Sequence, residues 1–234
     1  MKKITVRNAL FLSAGIVLLA WVIKVVRNIC YLDRVIDSFK SLPKIFLEAS
    51  VVGILTILVV ILLLRLTKEK FKDIGFDRQK LFRQIGIGFL FGVLIFALDA
   101  FIAGPLLDSI LPKTAAKGID MSKFFTNTLS IPIFVFIAIF KGGFCEELWR
   151  IFILTRFEKI FGKSGLIAAL ILSSVVFGIG HLYQGINGLI SIAIIGFLYG
   201  LVYLRKRRAL EAVLAHATFN TINIILGYVM YHGR

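Results

Sequence analysis

The fold class is decided by the stretch from Ile45 to Leu66, which reads IFLEASVVGILTILVVILLLRL and whose charged residues are Glu48 and Arg65. About 20 mainly apolar residues are needed for one helix to cross the hydrocarbon core of a bilayer. Only helices and closed barrels satisfy their backbone hydrogen bonds in that environment. The stretch therefore predicts a transmembrane helix and, with it, an all-α membrane protein.

The composition of the whole chain agrees with this prediction. Hydrophobic residues make up 59% of its 234 residues, above the roughly 45–50% usual for soluble domains. The net charge of +15 comes from short Lys/Arg runs between apolar stretches. No basic stripe typical of nucleic-acid-binding domains is present, and Cys30 and Cys145 are too few for a disulfide scaffold. We therefore expect membrane lipids, and not nucleic acid, around this chain.

The other stretches of spanning length are spread along the chain. They run from Ala9 to Val26, Ile85 to Ala103, Leu129 onward, Gly165 to Leu182, Gly185 to Leu204 and Ala209 to Met230. The one that begins near Leu129 stays compatible with a helix until about Phe161, and Gly142-Gly143 could kink or break it. We expect a polytopic transmembrane helix bundle with seven crossings, and eight crossings remain an alternative.

The distribution of basic residues predicts the orientation. With seven crossings, 17 Lys and Arg fall on one side and 8 on the other, and the more basic side is normally cytosolic. We expect a multi-pass protein of the cell membrane with a cytosolic N-terminus and a first helix that is retained rather than cleaved. Residues 1–126 would supply the N-terminal membrane helices and a cytosolic linker, and residues 127–234 the motif-bearing helices, in one integrated membrane domain.

Three ionisable residues lie at membrane depth in the fourth stretch: Glu146, Glu147 and Arg150. Such residues normally face a bundle interior or a wet cavity, because charge in lipid is costly. Helical spacing allows Arg150 to pair with one carboxylate, which leaves the other as a candidate general base. The alternative interpretation is a structural ion pair that joins helices.

Two of the three histidines also lie in apolar stretches. His181 follows Phe177 by one helical turn, and Asn220 follows His216 by one turn on the same face. Counted from the predicted cytosolic ends, these side chains and Glu146 lie on the order of 12–25 Å deep and could share one layer. A carboxylate that deprotonates water, imidazoles that orient it and an amide that binds an oxyanion suit peptide hydrolysis. Taken singly, each would be an ordinary packing or interhelical hydrogen-bonding residue.

Two further polar features carry no catalytic assignment. The run from Arg205 to Arg208 is typical of an orientation signal that contacts anionic lipids. Asp99, near the end of its stretch, fits either an extension of the polar cavity or the membrane interface.

In these residues the chain resembles the CPBP intramembrane protease family, the CAAX prenyl endopeptidase and bacteriocin-processing group. The family pattern is Glu-Glu-x-x-x-Arg, then Phe-x-x-x-His, then His-x-x-x-Asn or Asp, on successive helices. The matching residues are Glu146, Glu147 and Arg150, then Phe177 and His181, then His216 and Asn220. The resemblance implies an intramembrane endopeptidase for peptide or lipidated-peptide substrates. It assigns catalysis to Glu146, Glu147, His181, His216 and Asn220, with Arg150 and Phe177 as supporting residues.

One departure from the family pattern leaves roles open. Arg150 follows the Glu pair after two residues, where the family has three. Aligned on Arg150, the family's two Glu fall on Cys145 and Glu146; aligned on the Glu pair, the Arg is about 100° out of phase. Either Glu146 or Glu147 could therefore be the base. The resemblance fits a divalent metal such as Zn²⁺ held by Glu146, His181 and His216, and equally a metal-free mechanism.

Two functions from other classes remain as alternatives. The shortened spacing suits a non-catalytic membrane scaffold, or a bacteriocin self-immunity protein, that retains the fold. A transporter with a carboxylate proton relay is disfavoured because the two halves of the chain show no obvious inverted similarity. The sequence does not determine the substrate or the oligomeric state.

Overall fold

All regular secondary structure in the described residues is helical. The computed structural model describes residues 5–33, 41–111 and 130–232. Its helices are α1 (Val6–Cys30), α2 (Leu42–Leu66), α3 (Leu81–Leu98), α4 (Gly104–Ile110), α5 (Ser130–Ile137), α6 (Glu147–Ile179), α7 (Gly185–Lys206) and α8 (Ala209–His232). Short 3₁₀ turns cover Phe71–Ile74 and Leu182–Gln184. The all-α expectation is confirmed.

Two joints between helices are π-helical. The turn Asp99–Ala103 continues α3 into α4, and the longer π segment, Ala138–Glu146, continues α5 into α6. Such turns insert an extra residue into the helical hydrogen-bond ladder and change the direction of every side chain beyond them. The interruption predicted at Gly142-Gly143 is therefore present as a π segment and not as a break.

The number of membrane-spanning helices differs from the prediction. The described residues contain six helical runs long and apolar enough to cross a membrane, and not seven to eight. The difference lies in Ser130–Ile179, one run of 50 residues that includes the predicted fourth span and most of the fifth. Where the sequence predicted a break between them, the structure has a kink at Gly162 (φ 66°, ψ −150°). Glycine adopts positive φ at little steric cost, so the chain turns back at Gly162, and Phe177 returns to contact Arg150.

The outer surface of the bundle is apolar. Phe82 is 88% exposed and Phe101 is 76% exposed, and many Leu, Ile and Val side chains on the outward helix faces are more than half exposed. A soluble protein rarely leaves a contiguous apolar surface of this kind open to water. Together with the six spanning runs, this surface identifies an integral membrane protein.

Helix α6 lies at the centre of the bundle. Its side chains Leu148, Ile151, Phe152 and Leu154 are completely buried. It packs against α1 and α7, whereas α8 packs against α3 and the π segment. The helices that carry the sequence motifs therefore face a shared interior, and α1 closes one side of it.

The basic run between α7 and α8 is largely paired. Arg205, Arg207 and Arg208 form ion pairs with Glu211, Glu158 and Asp77 respectively. These contacts fasten the turn to α6 and to the linker before α3. The lipid contact suggested for this run stays a prediction, and so does the cytosolic orientation.

Candidate active site

The π segment brings Lys141 and Glu146 to the same side of the chain. Residues five positions apart lie about 140° apart around an α-helix, whereas π-helical hydrogen bonds join residue i to residue i+5 and align them. Lys141 Nζ lies 2.7 Å from Glu146 Oε1. The local geometry of the π segment therefore determines the direction of Glu146.

The two adjacent glutamates face different surroundings. The side chain of Glu146 is 19% exposed and lines a large cavity. Glu147 is completely buried, with Arg150 Nε donating to it at 3.1 Å and His216 Nδ1 at 2.9 Å from its Oε1. Glu146 is therefore the carboxylate that faces the cavity, and Glu147 links α6 to α8.

The shortened motif spacing has a direct structural counterpart. Arg150 lies one helical turn after Glu147 and pairs with that residue. Its guanidinium also lies over the Phe177 ring, 4.6 Å from the ring centroid. The predicted pairing of Arg150 with one carboxylate is confirmed, and the partner is the second glutamate of the pair.

His216 stands between the two carboxylates. Its Nδ1 lies 2.9 Å from Glu147 Oε1, and its Nε2 lies 3.9 Å from Glu146 Oε2. Because an ionised carboxylate only accepts hydrogen bonds, His216 Nδ1 is the protonated nitrogen and donates to Glu147. The other ring nitrogen, Nε2, faces Glu146. The imidazole stacks on Tyr199 at a centroid distance of 4.5 Å. Glu147 and Tyr199 together fix the orientation of this ring.

His181 follows the end of α6 and presents one nitrogen to the cavity. Its Nδ1 donates to the Phe177 carbonyl at 2.9 Å, since a carbonyl oxygen only accepts. Nε2 is therefore the nitrogen that remains for a ligand. The Phe177 ring lies 4.9 Å from the His181 ring and 5.6 Å from the His216 ring, so it contacts both imidazoles.

Gly142 allows Asn220 to approach the π segment. A Cβ atom at position 142 would lie 2.6 Å from Asn220 Nδ2 and 3.6 Å from His216 Nε2. The first distance is too short for non-bonded atoms, so any side chain at this position would displace the amide. Glycine here is thus a requirement of close helix packing next to the site.

One cavity of about 1030 Å³ joins these groups. Its wall contains Glu146, His181 and Asn220, together with the supporting residues Arg150 and Phe177. Glu147 and His216 lie behind this wall, and His216 reaches Glu146 from there. The structure therefore brings the predicted site residues together in two layers. Glu146, His181 and Asn220 line the cavity, and the Glu147–His216 pair lies behind them.

The donor set suggested for a metal does not form a metal site in this arrangement. Within residues 5–33, 41–111 and 130–232, no group of three His, Cys, Asp or Glu side chains is placed to hold an ion. Each imidazole keeps Nε2 for a ligand, because Nδ1 has a hydrogen-bond partner, but Glu146 is paired with Lys141. The residues as placed therefore do not fit a divalent ion.

Sequence patterns missed Lys24, Lys141 and Tyr199, all of which contact the site. Each lysine interrupts an apolar stretch, the same signal that identified Glu146, and could have been found in that way. Tyr199 carries no such signal, because aromatic residues are common in apolar helices. Asp99 also lines the cavity and accepts a hydrogen bond from the Ser191 hydroxyl, so its interpretation as a cavity residue is correct.

Comparisons with known proteins find similarity to membrane peptidases. Residues 127–222 match the family model described as "Type II CAAX prenyl endopeptidase Rce1-like". A Bacillus subtilis (strain 168) protein named "Putative membrane peptidase YdiL" is 27% identical over 184 residues, which cover 76% of this chain and 70% of that protein. No solved structure gives a significant match.

The matched region contains every motif residue that carried the sequence resemblance, from Glu146 to Asn220. The predicted family is thus confirmed. Residues 127–222 of the chain match the Rce1-like type II CAAX prenyl endopeptidase family, the CPBP family that the motif residues resemble.

Proposed function

We propose that the protein is an intramembrane endopeptidase in which Glu146 activates a water molecule to hydrolyse a peptide bond. The observation that carries this proposal is the convergence of Glu146, His181 and Asn220 on one cavity wall. His216 Nε2, 3.9 Å from Glu146 Oε2, completes the set from behind. The match of residues 127–222 to the CAAX prenyl endopeptidase model and the similarity to a protein named as a putative membrane peptidase support the same chemistry.

In this mechanism Glu146 is the general base. A water between Glu146 and His181 Nε2 gives a proton to the carboxylate, and its oxygen attacks the carbonyl carbon of the peptide bond. Lys141, 2.7 Å from Glu146, keeps the carboxylate directed into the cavity. A site that excludes bulk water strengthens these polar contacts.

The attack places negative charge on the carbonyl oxygen, and the second motif helix stabilises it. Asn220 Nδ2 donates a hydrogen bond to this oxyanion, and His216 contacts the Glu146 carboxylate from behind the cavity wall. Glu146 then returns its proton to the leaving nitrogen as the C–N bond breaks. Glu147 is a positioning residue, because it acts through the orientation of His216.

The cavity suits a peptide with an apolar or lipidated segment. Its wall on the side of α1 and α2 is formed mainly by apolar side chains, among them Trp21, Ile45, Val52 and Val59. A cavity within a membrane bundle can receive such a segment from the bilayer, where apolar groups already reside. We therefore propose peptides and lipidated peptides as the substrate class.

The proposal is tested with the two site histidines. The full chain in liposomes is incubated with a mixture of random decapeptides, one half of which carries an S-farnesyl cysteine, and new termini are identified by mass spectrometry. We expect cleavage by the wild type and by His232→Ala, which changes the remaining histidine of the sequence. His181→Ala and His216→Ala should lose cleavage while remaining folded and inserted. Wild-type turnover by both site variants would end the proposal.

A non-catalytic scaffold is the second candidate. The observation that favours it is that both site carboxylates already have cationic partners, Lys141 for Glu146 and Arg150 for Glu147. A scaffold would tolerate loss of the base, so Glu146→Gln would then support growth or immunity as well as the wild type. Loss of that cellular phenotype in Glu146→Gln favours the peptidase.

A further inference from the structure

Lys24 of α1 differs from the other cations of the cavity wall, because it has no carboxylate of its own. The other cations are paired: Arg27 with Glu48, Lys141 with Glu146, and Arg150 with Glu147. For Lys24, no carboxylate of the described residues lies within ion-pair distance, and its ammonium contacts the Phe177 ring. Among the described residues, Lys24 is therefore the cation of the cavity wall that lacks a carboxylate partner.

This ammonium lies beside the proposed catalytic groups. Lys24 Nζ is 5.5 Å from the centroid of Phe177, the ring that contacts both site imidazoles. A Cβ atom at Gly180 would lie 2.7 Å from Lys24 Nζ, so the lysine occupies the space that this glycine leaves open. Gly180 directly precedes His181, and a substrate held at His181 would thus be adjacent to Lys24.

An unpaired ammonium in such surroundings is costly unless a ligand compensates it. Charged groups in membrane helices normally pair with one another or with a substrate on its pathway. Glu146 lies beyond ion-pair distance of Lys24, and its own partner at 2.7 Å is Lys141. The cavity is where the peptide would bind, so the peptide is the source of the missing anion.

We propose that Lys24 is a specificity-determining residue whose ammonium binds a carboxylate of the peptide substrate near the bond to be cleaved. This inference rests on the proposed peptidase function. The carboxylate is either the C-terminal group of the peptide or an Asp or Glu side chain, and both have the same chemistry towards Lys24. Lys24 lies outside residues 127–222, so the match to the family model assigns it no role.

Three decapeptide libraries separate the two sources of the carboxylate. The first has free C-termini and contains no Asp or Glu; the second is identical but C-terminally amidated; the third is amidated and has one Asp at a central position. Each is added at low concentration to the full chain in liposomes, where initial cleavage rates are proportional to kcat/KM. The readout is the ratio of the first or third library to the second.

The variants change the charge of Lys24 and keep its size. We expect the wild type to prefer one acidic library over the amidated library by about tenfold or more, as for a close charge pair at a binding interface. Lys24→Met should bring that ratio close to one, whatever its rate on the amidated library, and Lys24→Arg should retain most of the preference. Lys163→Met, at an exposed position outside the cavity wall, is the matched control.

A Lys24→Met variant that keeps the wild-type ratio for both acidic libraries overturns the inference. Lys24→Gln provides a second neutral side chain if Lys24→Met does not insert into the membrane. If the wild type cleaves no library, the proposed function fails, and Lys24 is tested by binding instead. Tighter binding of acidic peptides that is lost in Lys24→Met then supports its role, and equal binding contradicts it.

Discussion

At the scale of residues, Glu146 and Glu147 are neighbours in sequence with opposite environments. Glu146 faces the cavity, whereas Glu147 is enclosed by Arg150 and His216. A buried carboxylate needs its partners, while one that faces a cavity can exchange a proton with water. The sequence could predict that Arg150 would pair with one glutamate. It could not predict which one, because the choice depends on the phase of the π segment that precedes them.

The two carboxylates should differ in their effect on stability. Glu147→Gln removes the charge partner of a buried guanidinium, which costs roughly 3–5 kcal/mol when one side of a buried ion pair is lost. Glu146→Gln breaks a partly exposed pair with Lys141 and should cost roughly 1 kcal/mol or less. Thermal unfolding in detergent, followed for both variants, measures the difference. Equal losses of Tm would contradict the assignment of Glu147 as the structural carboxylate.

At the scale of elements, the geometry of the π segment determines where the side chains of the site lie. It aligns Lys141 with Glu146, and its glycine at position 142 admits Asn220 from α8. Sequence analysis recognised Gly142-Gly143 as an interruption, because glycine lowers helix stability. It could not predict a π-helical turn, because that depends on packing against α8. The kink at Gly162, a glycine with positive φ, was taken for a break between two spans.

Substitution of Gly142 should disturb the site without touching a charged group. Gly142→Ala places a methyl group where Asn220 Nδ2 now lies, 2.6 Å away, and should displace the amide from the oxyanion. Misplacement by about 1 Å can lower a rate by roughly 100-fold. Gly86→Ala is the matched control, because a Cβ at that helical glycine meets no atom within 4 Å. The measurement is the rate of peptide cleavage by each of the two variants. Equal rates for Gly142→Ala and Gly86→Ala would contradict the role given to Gly142.

At the scale of the whole molecule, hydropathy predicted the membrane bundle but overestimated its helix count. Segment length and composition were sufficient for the fold class and the outer apolar surface, because lipid imposes the same requirements on every span. The shared cavity was predictable only in part. The depths of Glu146, His181, His216 and Asn220 followed from their positions along the helices, but the contribution of Lys24 depends on how α1 packs against α6.

The predicted orientation can be measured with the natural cysteines. Cys30 is exposed at the end of α1, and Cys145 is buried. A cytosolic N-terminus places Cys30 on the outer side of the membrane, so a membrane-impermeant maleimide should label intact cells that express the wild type or Cys145→Ser. Cys30→Ser should remain unlabelled. Labelling that requires permeabilised cells would reverse the orientation.

The central claim is that Glu146 activates the water that cleaves the peptide, and incorporation of ¹⁸O tests it most directly. The full chain in liposomes is incubated with the decapeptide mixture in H₂¹⁸O beside two matched variants: Glu146→Gln, and Glu158→Gln on the same helical run, where Glu158 pairs with Arg207 away from the cavity. The account predicts new C-termini that contain one ¹⁸O atom for the wild type and for Glu158→Gln, and none for Glu146→Gln. Labelled products formed by Glu146→Gln at the wild-type rate would contradict it.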